Sequence, residues 1–481
     1  MKKNDCFPMK CENLGADMEG VCRHEGMAVF VPGLLPGEEA IVRIVKVEKR
    51  FAFGRIEQLS GTPSPDREQP DCPVFPRCGG CSCRHMTYEA TLEAKRRQVA
   101  DCFLRIAGLP VDVPDVIGMS SPYGYRNKTA LPVSGTADAP ALGFYAPRSH
   151  TVIPISSCPN ALPQANQIAK IFLSWMKSHA LAPYQEETHT GLIRHLVIRV
   201  NQKGESMVTV VINGNRLPFQ EELTALLRPA GVISLFLNIN SSRTNVILSD
   251  SFHLLYGKET LRDHLCGLSY ELSPAAFFQI NPQQTEKLYR TALDFADLQP
   301  ENTLCDVYCG AGTISLMMAR SCRSVVGIEV VPSAVENARR NASANGVTNA
   351  VFHAGKAEEL LPALVEKGLR SDVIVVDPPR KGLDPAVIHA ISSASPARVV
   401  YVSCNPATLA RDVKGFSDLG YQIKKVQPVD MFCWTSGVET VVLLSKLKST
   451  CCNKVPKCPP VKERAIEDAL RPFQMIHKEE T

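Results

Sequence analysis

Short apolar runs alternate with longer amphipathic stretches through the C-terminal part of the chain. Each run is bounded by polar or turn-forming residues, as is typical of a buried strand. We predict strands at residues 303–307, 324–328, 350–353, 372–376, 398–402 and 439–444. Segments of helical length separate most of these runs. This alternation predicts a doubly wound α/β domain, in which helices cross over between parallel strands.

The first 60 residues show a different pattern. Two runs of strand composition, at 26–31 and 39–47, flank a Pro- and Gly-rich turn at 32–37. The second run alternates only partly between apolar and polar positions, as in a strand with one face in a small core. We therefore predict a small OB-like β-barrel over residues 1–60, a fold that commonly binds oligonucleotides.

The central part of the chain is less regular. A Pro-rich stretch from Gly61 to Pro76 marks a boundary, and residues 88–107 have the pattern of an amphipathic helix that stops at Gly108. Residues 122–262 combine short strands and turns with one helix near 162–178. For the polar tail we predict only a short helix near 460–471.

Length and charge constrain the partners only weakly. The chain has 481 residues, 53 basic and 49 acidic, and a net charge of +4. That balance neither indicates nor excludes nucleic acid, so any basic surface must be local. The candidates, each equally compatible with an ordinary solvated face, are Arg43, Lys46, Lys49, Arg50, Arg55, Lys95, Arg96 and Arg97.

No feature of the sequence predicts a membrane protein. No apolar run approaches the ~20 residues of a membrane span. The first residues lack the apolar segment of a signal peptide. We therefore predict a cytoplasmic protein with no membrane partner.

Eighteen cysteines are many for such a protein, and metal or catalytic roles gain weight over disulfides. Cys72, Cys78 and Cys81 form a C-x5-C-x2-C cluster among turn residues, and Cys158 could be a distant fourth ligand. Four thiolates suit zinc or an iron–sulfur cluster, and the spacing does not choose between them. Cys83 is close enough to compete as a ligand.

Other cysteines have simpler interpretations. The predicted core cysteines lie in apolar patterns: Cys102, Cys266, Cys305 and Cys322. The tail carries Cys451, Cys452 and Cys458, with few folding signals around them. A metal role for these three clustered cysteines is therefore disfavoured.

Two predicted strands end in reactive side chains. Asp377 follows the run at 372–376, and Cys404 follows the run at 398–402 within a polar Ser-Cys-Asn-Pro turn. The carboxyl ends of parallel strands meet at the edge where α/β sheets bind ligands. Cysteine is most often a core residue, but this polar turn makes a poor core. We therefore predict that Cys404 is a nucleophile.

A glycine turn follows the first strand of this domain. Residues 306–312 carry Gly310 and Gly312, and glycines let the backbone approach a nucleoside closely. Glu329 ends the next strand, where an acid can bind both ribose hydroxyls; a solvated strand-end charge is the alternative. Dinucleotide enzymes usually carry a longer glycine pattern. Together with the Asp-Pro-Pro at 377–379, the turn favours S-adenosylmethionine as the cofactor.

The residue after the two prolines separates methyl-transfer chemistries. Enzymes that methylate exocyclic amines resemble one another in an aromatic residue there, whereas this chain has Arg380. Carbon methylation needs more, because C5 of uracil is a weak nucleophile until a thiolate adds at C6. Cys404 could supply that thiolate. Glu439, at the mouth of the last predicted strand, could then remove the C5 proton, although a surface carboxylate is the simpler interpretation.

Taken together, these motifs resemble the uracil-5 RNA methyltransferase family, which forms 5-methyluridine in ribosomal and transfer RNA. The resemblance covers roughly residues 10–445, judged motif by motif. It looks most like the ribosomal RNA branch with a TRAM domain and a [4Fe–4S] cluster. The matching parts are residues 15–37, the four cysteines, and residues 277–282, 306–312, 377–382 and 403–406.

The resemblance implies a role for each site residue. Cys404 would be the nucleophile and Glu439 the base. The implied S-adenosylmethionine contacts are Gln279, Tyr308, Glu329 and Asp377. The implied cluster ligands are Cys72, Cys78, Cys81 and Cys158, which moves the choice of metal toward iron.

The resemblance also implies a multi-domain fold. An OB-like TRAM barrel at 1–60 precedes a small α+β central domain at 61–90 and 122–262, which carries the cluster. A Rossmann-like S-adenosylmethionine-dependent methyltransferase domain would comprise 91–121 and 263–447. The tail at 448–481 falls outside the family pattern.

The implied substrate is RNA, and we predict a monomeric enzyme. The transfer RNA branch lacks both the TRAM domain and the cluster, so 23S ribosomal RNA is favoured over transfer RNA. A non-catalytic RNA-binding iron–sulfur protein is an alternative, against which Cys404 and Glu439 argue. A cytosine-5 RNA methyltransferase would carry a differently arranged cysteine pair, which is missing here.

Overall fold

The computed structural model describes residues 1–447. These residues divide into two compact units. The first comprises Met1–Ala94, Gly118–Glu286 and Met431–Ser436, and the second comprises Lys95–Ile117, Lys287–Asp430 and the chain from Gly437 onward. The predicted tail helix near 460–471 and the tail cysteines lie outside the described residues. The predicted domain boundaries stay a prediction.

Unit 1 begins with a closed five-stranded barrel in the order β1-β2-β3-β5-β4. Alternate residues of its strands point inward and are buried, among them Val29, Val42, Ile44 and Ala52. The barrel predicted from residues 1–60 is therefore confirmed, with three strands beyond the two that the pattern indicated. The strands are β1 (Cys6–Leu14), β2 (Gly20–His24), β3 (Met27–Val31), β4 (Glu39–Val47) and β5 (Phe51–Ser60).

A turn-rich segment that holds three of the candidate cysteines follows the barrel. It leads into helix α1 (Tyr88–Cys102), which continues as a five-residue π-helical turn over Phe103–Ala107. Gly108 ends the helix with φ 70°, a left-handed conformation that glycine adopts without steric cost. The predicted end of the helix is thus confirmed, although its last turn is not α-helical.

The rest of unit 1 is built on a seven-stranded sheet in the order β12-β11-β10-β9-β6-β7-β8, with β13 and β14 as a separate hairpin. One face of the large sheet packs against α2, whose predicted position is confirmed. Helix α3 was not predicted. The elements are β6 (Lys128–Gly135), β7 (Pro140–Tyr145), β8 (Val152–Pro154), α2 (Pro163–Ser178), β9 (Ile193–Val200), β10 (Ser206–Ile212), α3 (Gln220–Leu227), β11 (Val232–Ile239), β12 (Phe252–Gly257), β13 (Leu261–Leu265) and β14 (Leu268–Leu272).

Unit 2 contains the second seven-stranded sheet, in the order β17-β16-β15-β18-β19-β21-β20. The five strands from β17 to β19 are parallel, and β21 is antiparallel to both neighbours. The elements are α4 (Pro282–Ala296), β15 (Thr303–Val307), α5 (Thr313–Met318), β16 (Ser324–Glu329), α6 (Pro332–Ala344), β17 (Ala350–Ala354), α7 (Ala357–Glu366), β18 (Val373–Val376), α8 (Pro385–Ala394), β19 (Arg398–Ser403), α9 (Pro406–Asp418), β20 (Tyr421–Val429) and β21 (Glu439–Lys446).

The six predicted strands of the α/β domain are confirmed, and β20 is the strand that the pattern missed. Its apolar run is interrupted by two exposed lysines and by Pro428. Strands β15, β18 and β19 are buried along almost their whole length. Burial on both faces is what a parallel sheet covered by helices requires.

Two predictions about single residues were wrong. Cys266 is not a core residue: it is half-buried and lies in the turn between β13 and β14, with φ 52°. Lys95 is not part of a basic surface. Its side chain is fully buried in an ion pair with Asp430, because its position faces the interior of unit 2. Cys102, Cys305 and Cys322 are buried as predicted.

Candidate functional site

The carboxyl ends of β18 and β19 and the amino end of β21 meet at one edge of the sheet in unit 2. Asp377 follows β18, and Cys404 follows β19, which pairs with β18 in parallel register. Glu439 is the first residue of β21, which runs antiparallel to β19 and pairs Thr440 with Ser403. Because β21 starts where β19 ends, Glu439 and Cys404 lie at the same edge.

A capped turn carries Cys404. The side chain of Asn405 accepts a hydrogen bond from the backbone N–H of Ala407 at 3.0 Å and so caps helix α9. Ser403 Oγ accepts from the backbone N–H of Asn405 at 3.2 Å. These bonds satisfy backbone groups that a helix start leaves unpaired. Cys404, between them, is half-buried, so its thiol is partly accessible, unlike that of a core residue.

The loop that follows Asp377 is fixed against the same helix. Thr408 Oγ1 donates to the carbonyl oxygen of Arg380 at 3.2 Å. The buried carboxylate of Asp412 accepts from the backbone N–H of Leu383 at 2.7 Å. At Gly382, φ is 75°, and a Cβ atom would lie 2.4 Å from that carboxylate. The glycine of this motif is therefore needed for close packing as well as for the turn.

Burial and mutual repulsion shape the acid–base chemistry at this edge. Glu439 is only 4% exposed, and burial, with the nearby Asp377 carboxylate, raises its pKa to about 8. Burial likewise raises the pKa of Asp377 to about 7. Burial and then the Glu439 and Asp377 carboxylates raise the pKa of Cys404 to about 11, and Arg380 opposes them. The free protein therefore keeps Cys404 protonated near neutral pH.

The glycine turn after β15 is held to the end of β16. The backbone N–H of Gly310 donates to one carboxylate oxygen of Glu329 at 3.1 Å, and Val331 N–H donates to the other at 2.9 Å. Tyr308 has φ 71°, which is uncommon for a bulky residue and marks strain. A carboxylate oxygen can accept more than one hydrogen bond, so Glu329 can still bind hydroxyl groups.

Asp306 adds an unsatisfied acceptor beside this turn. Its Oδ2 accepts from Ser315 Oγ at 2.5 Å, but Oδ1 has no hydrogen-bond partner among the described residues, although it is buried. Burial raises the pKa of Asp306 to about 7. A buried acceptor without a donor is costly, so the turn fits a ligand that carries an N–H or O–H group.

Gln279 belongs to unit 1, whereas the other five predicted cofactor and catalytic residues belong to unit 2. Its side chain is half-buried. Its backbone carbonyl accepts from Asn127 Nδ2 at 3.0 Å, which fixes the chain just before α4. The assignment of Gln279 to the cofactor stays a prediction.

Unit 1 brings the four candidate ligand cysteines together. Cys72, Cys78, Cys81 and Cys158 all line one cavity, although Cys158 is distant from the others in sequence. Cys83 does not line it and packs instead in a small apolar cluster with neighbours from the barrel. Asn160 Nδ2 donates to Cys81 Sγ at 3.3 Å.

The four cysteines share this cavity without the close spacing that a bound metal ion requires. Among residues 1–447, no three His, Cys, Asp or Glu side chains meet at the spacing of a bound metal ion. A tetrahedral zinc site holds its sulfur atoms within about 4 Å of one another, whereas each thiolate of a four-iron cluster can bind a different iron. An iron–sulfur cluster stays a prediction for this cavity.

Arg84 supports the same interpretation. It is 3% exposed and lines the cavity, its attraction favours the thiolate of Cys81, and Arg126 lines the cavity as well. Arg84 binds Asp71 and Asn160, while its Nε has no hydrogen-bond partner within the described chain. A buried guanidinium nitrogen facing thiols fits a negatively charged occupant. The sequence offered no signal for Arg84.

The sequence also missed an aromatic surface on the barrel. Phe30, Phe51 and Phe53 point outward from β3 and β5, with ring centroids 5.5–5.9 Å apart. Arg148 lies over Phe53 at 5.4 Å. Alternation of Phe51 and Phe53 about the inward Ala52 was the signal that could have found them.

The candidate basic residues of the barrel are largely paired. Arg43 and Arg55 both contact Glu57, at 2.7 and 2.8 Å, and Lys46 contacts Glu48 at 2.8 Å. Pairing reduces the field that these cations present to a polyanion. The barrel surface is therefore better suited to stacking with unpaired bases than to ionic contacts with phosphates.

No helix of residues 1–447 combines the length and the apolar character needed to cross a membrane. The predicted compartment stays a prediction.

Comparison with known proteins follows the division seen in the structure. The model of the tRNA (uracil-5-)-methyltransferase family matches residues 239–447. The model of the TRAM domain matches residues 8–56, within the closed barrel. The chain is thus similar to these families in the two regions where the sequence predicted them.

Similar proteins extend along nearly the whole chain. One from Clostridium tetani, described as an RNA methyltransferase, is 41% identical over 92% of this chain and 97% of its own. One from Listeria monocytogenes, described in the same way, is 42% identical over 92% and 98%. A solved structure, the Pyrococcus abyssi tRNA (uracil-54, C5)-methyltransferase with S-adenosyl-L-homocysteine, has a TM-score of 0.73 and 28% identity, covering 91% of this chain and 100% of that one.

Proposed function

Because the chain belongs to the S-adenosylmethionine-dependent RNA (uracil-5-)-methyltransferase family, we propose that it forms 5-methyluridine in structured RNA through a covalent intermediate on Cys404. The observation that carries this proposal is the meeting of a half-buried thiol and a buried carboxyl at one sheet edge. A thiol and a proton acceptor are the two groups that methylation of uracil C5 requires.

Cys404 begins the reaction. The target uridine leaves its stack, at a cost of a few kcal/mol, so that C6 meets the sulfur. The thiol releases its proton to solvent and the thiolate adds to C6, so that the electron pair of the C5–C6 double bond becomes the enolate of the ring. Because the pKa of this thiol is raised to about 11, only a small fraction of the free protein carries the thiolate near neutral pH.

The cofactor would be held by the turn after β15, through Tyr308, Glu329 and Asp377, with Gln279 as a further predicted contact. S-adenosylmethionine supplies the electrophilic methyl group that C5 takes up. The strained turn and the unsatisfied Asp306 oxygen support a ligand at this place.

Glu439 ends the reaction. Its carboxylate accepts the C5 proton, the C–H electron pair restores the C5–C6 double bond, and the bond between C6 and sulfur breaks. Because its pKa is raised to about 8, the Glu439 carboxyl carries a proton near neutral pH and releases it to solvent before this step. The carboxylate is then a stronger base than that of an ordinary glutamate, and general bases work best near the working pH.

The cysteine-lined cavity would hold a [4Fe–4S] cluster on Cys72, Cys78, Cys81 and Cys158. The shared cavity and the buried arginines support it. Methyl transfer moves no net electrons, so the cluster would be structural.

We favour 23S ribosomal RNA as the substrate, because the barrel and the four cysteines together resemble the ribosomal RNA branch. Transfer RNA is the second candidate. It is favoured by the Pyrococcus abyssi enzyme, which acts on tRNA and aligns along 91% of this chain. Mass mapping of modified uridines in both RNAs, from cells with and without the protein, would separate the two.

The barrel would contribute RNA affinity through its aromatic surface, since base–aromatic stacking stabilises binding by about 1–3 kcal/mol per base. Replacing Phe51 and Phe53 by alanine should weaken binding to a folded RNA fragment and leave cofactor affinity unchanged. Equal RNA affinity would contradict this role.

The decisive experiment removes the base. Glu439→Gln should bind RNA, transfer one methyl group and remain covalently attached to it, because the C5 proton has no acceptor. A denaturing gel with methyl-labelled cofactor would detect the complex. Glu366→Gln, an exposed carboxyl on α7, is the control and should turn over normally. Normal turnover of Glu439→Gln, or no adduct at all, would contradict the proposal.

A further inference from the structure

The connection between β20 and β21 carries a segment, residues 431–436, that belongs to unit 1 although both strands belong to unit 2. Only Gly437 and Val438 separate its end from Glu439. Over so short a connection, displacement of the 431–436 segment would displace Glu439. What holds this segment therefore bears on where the carboxyl lies.

Trp434 holds the segment to the turn after Cys81. Its backbone carbonyl accepts two hydrogen bonds, from the N–H groups of Ser82 at 2.9 Å and Cys83 at 3.1 Å. Its indole Nε1 donates to the carbonyl of Pro122 at 2.9 Å. The carbonyl and the indole N–H of Trp434 are thus both hydrogen-bonded within unit 1.

The indole ring is also packed on both sides. The Tyr88 and Tyr123 rings lie 5.4 and 5.8 Å away, and the Arg84 guanidinium lies 5.2 Å from the ring centroid. Such aromatic and cation–π contacts stabilise one orientation of the ring. Because Trp434 is only 4% exposed, the ring has little freedom to move.

The backbone of Trp434 is strained. Its φ is 66°, which is a genuine outlier for a bulky residue. A conformation of this kind persists only where the surroundings enforce it, and such residues cluster at functional positions. Without its anchors, the backbone would relax and the segment would shift.

Two further contacts fix the rest of the segment. Tyr125 Oη donates to the carbonyl of Cys433 at 3.0 Å, and Asn281 Nδ2 donates to that of Met431 at 3.1 Å. Arg84, which stacks on Trp434, also lines the four-cysteine cavity. The segment is thereby tied to the same turn that contributes Cys81 to that cavity.

We propose that Trp434 is a positioning residue for Glu439: by anchoring the 431–436 segment to the Cys81 turn, it sets where the base stands when the C5 proton is removed. This inference rests on the proposed function. It predicts that loss of the anchor slows the last step, in which the proton passes to Glu439 and the bond from C6 to the Cys404 sulfur breaks. The earlier steps need only Cys404 and the cofactor and should be spared.

The test compares Trp434→Leu with Trp434→Phe in the full-length protein. Trp434→Leu should lower turnover ten- to hundredfold, as misplacement by about 1 Å can do, and should accumulate the covalent complex with methylated RNA. Its rate of adduct formation with RNA containing 5-fluorouridine should stay within about twofold of the rate of the unmodified protein. That adduct forms before the proton is removed, and its formation does not depend on the position of Glu439. Trp434→Phe keeps an aromatic ring, and its turnover should lie between that of Trp434→Leu and that of the unmodified protein.

Trp175→Leu is the matched control, because Trp175 is buried in α2 and packs in the core around the large sheet of unit 1. It should lower the thermal unfolding temperature without trapping methylated RNA. If Trp434→Leu lowers adduct formation and turnover equally, or traps no more complex than Trp175→Leu, the inference is wrong. If the unmodified protein forms no adduct with 5-fluorouridine RNA, the proposed function fails instead.

Discussion

The two units surround their functional cysteines with opposite charges. In unit 2, Cys404 lies near the carboxyls of Glu439 and Asp377, which together with burial raise its pKa. In unit 1, burial also raises the pKa of Cys81, but Arg84 and Arg126 oppose that effect. The thiol of Cys404 is thus held in its neutral form, whereas Cys81 faces cations that favour its thiolate.

The difference shows how surroundings separate two uses of one side chain. A thiolate is both the nucleophile and the metal ligand, so the local charge decides which chemistry is available. Burial and the nearby carboxyls raise the pKa of Cys404, and in the proposed mechanism one of these carboxyls later takes a proton. Two guanidinium groups oppose the effect of burial at Cys81, which would favour the cluster that we propose for this cavity.

The largest expected effect follows from removing the nucleophile. Cys404→Ala should lower turnover by at least about 10³-fold, because no other group supplies the attack on C6. It should form no adduct with 5-fluorouridine RNA. Cys6→Ala removes an exposed thiol of the barrel and should leave both properties unchanged. An adduct with Cys404→Ala would mean that the nucleophile is misassigned.

The next effect concerns metal content. Protein purified without oxygen should be brown and hold about four iron atoms per chain with matching sulfide. Cys158→Ser should lose most of this iron, whereas Cys83→Ser should keep it, because Cys83 lies outside the cavity. Elemental analysis would decide the outcome. Zinc in place of iron, or unchanged iron in Cys158→Ser, would contradict the proposed cluster in unit 1 and with it the contrast drawn with Cys404.

A smaller effect concerns the pH dependence of Cys404. Glu439→Gln removes a negative charge that raises the pKa of the thiol, so alkylation of Cys404 should shift to lower pH. A shift of one unit would raise the thiolate fraction about tenfold at a given pH. Iodoacetamide labelling between pH 6 and 10 measures it, with Glu366→Gln as the control. An unchanged profile would show that the two groups do not interact.

The smallest effect concerns stability. The pKa of Glu439 is about 8 in the folded protein against 4.5 for the ordinary group. Between these values the folded state holds a proton that the unfolded state has lost, so this contribution is present at low pH and is lost as the pH rises toward 8. Glu439→Gln should flatten this decline and be more stable at pH 8 by roughly 1–3 kcal/mol. Denaturant unfolding at pH 5 and pH 8 would test it, and equal slopes would contradict it.

Local pattern was enough to predict the sheet of unit 2 and the residues at its edge. Its strands are short apolar runs buried on both faces. The predicted site residues Asp377 and Cys404 directly follow such runs, and Glu439 begins one. Where the apolar run was broken, prediction failed. Strand β20 is interrupted by lysines, and its place beside β21 depends on pairing between distant residues rather than on its own pattern.

Unit 1 shows the limit of the same reasoning. The sequence by itself determined the barrel and the three cysteines of the C-x5-C-x2-C cluster, because strand alternation and ligand spacing are local. The sequence offered Cys158 only as a candidate distant ligand, and the tertiary structure shows that it shares their cavity and that Arg84 lines it. Tertiary structure alone decided that Trp434 is anchored to their turn and that Lys95 is buried against Asp430. Burial and charge at each of these positions come from residues far away in the chain, and no local pattern records which residues those are.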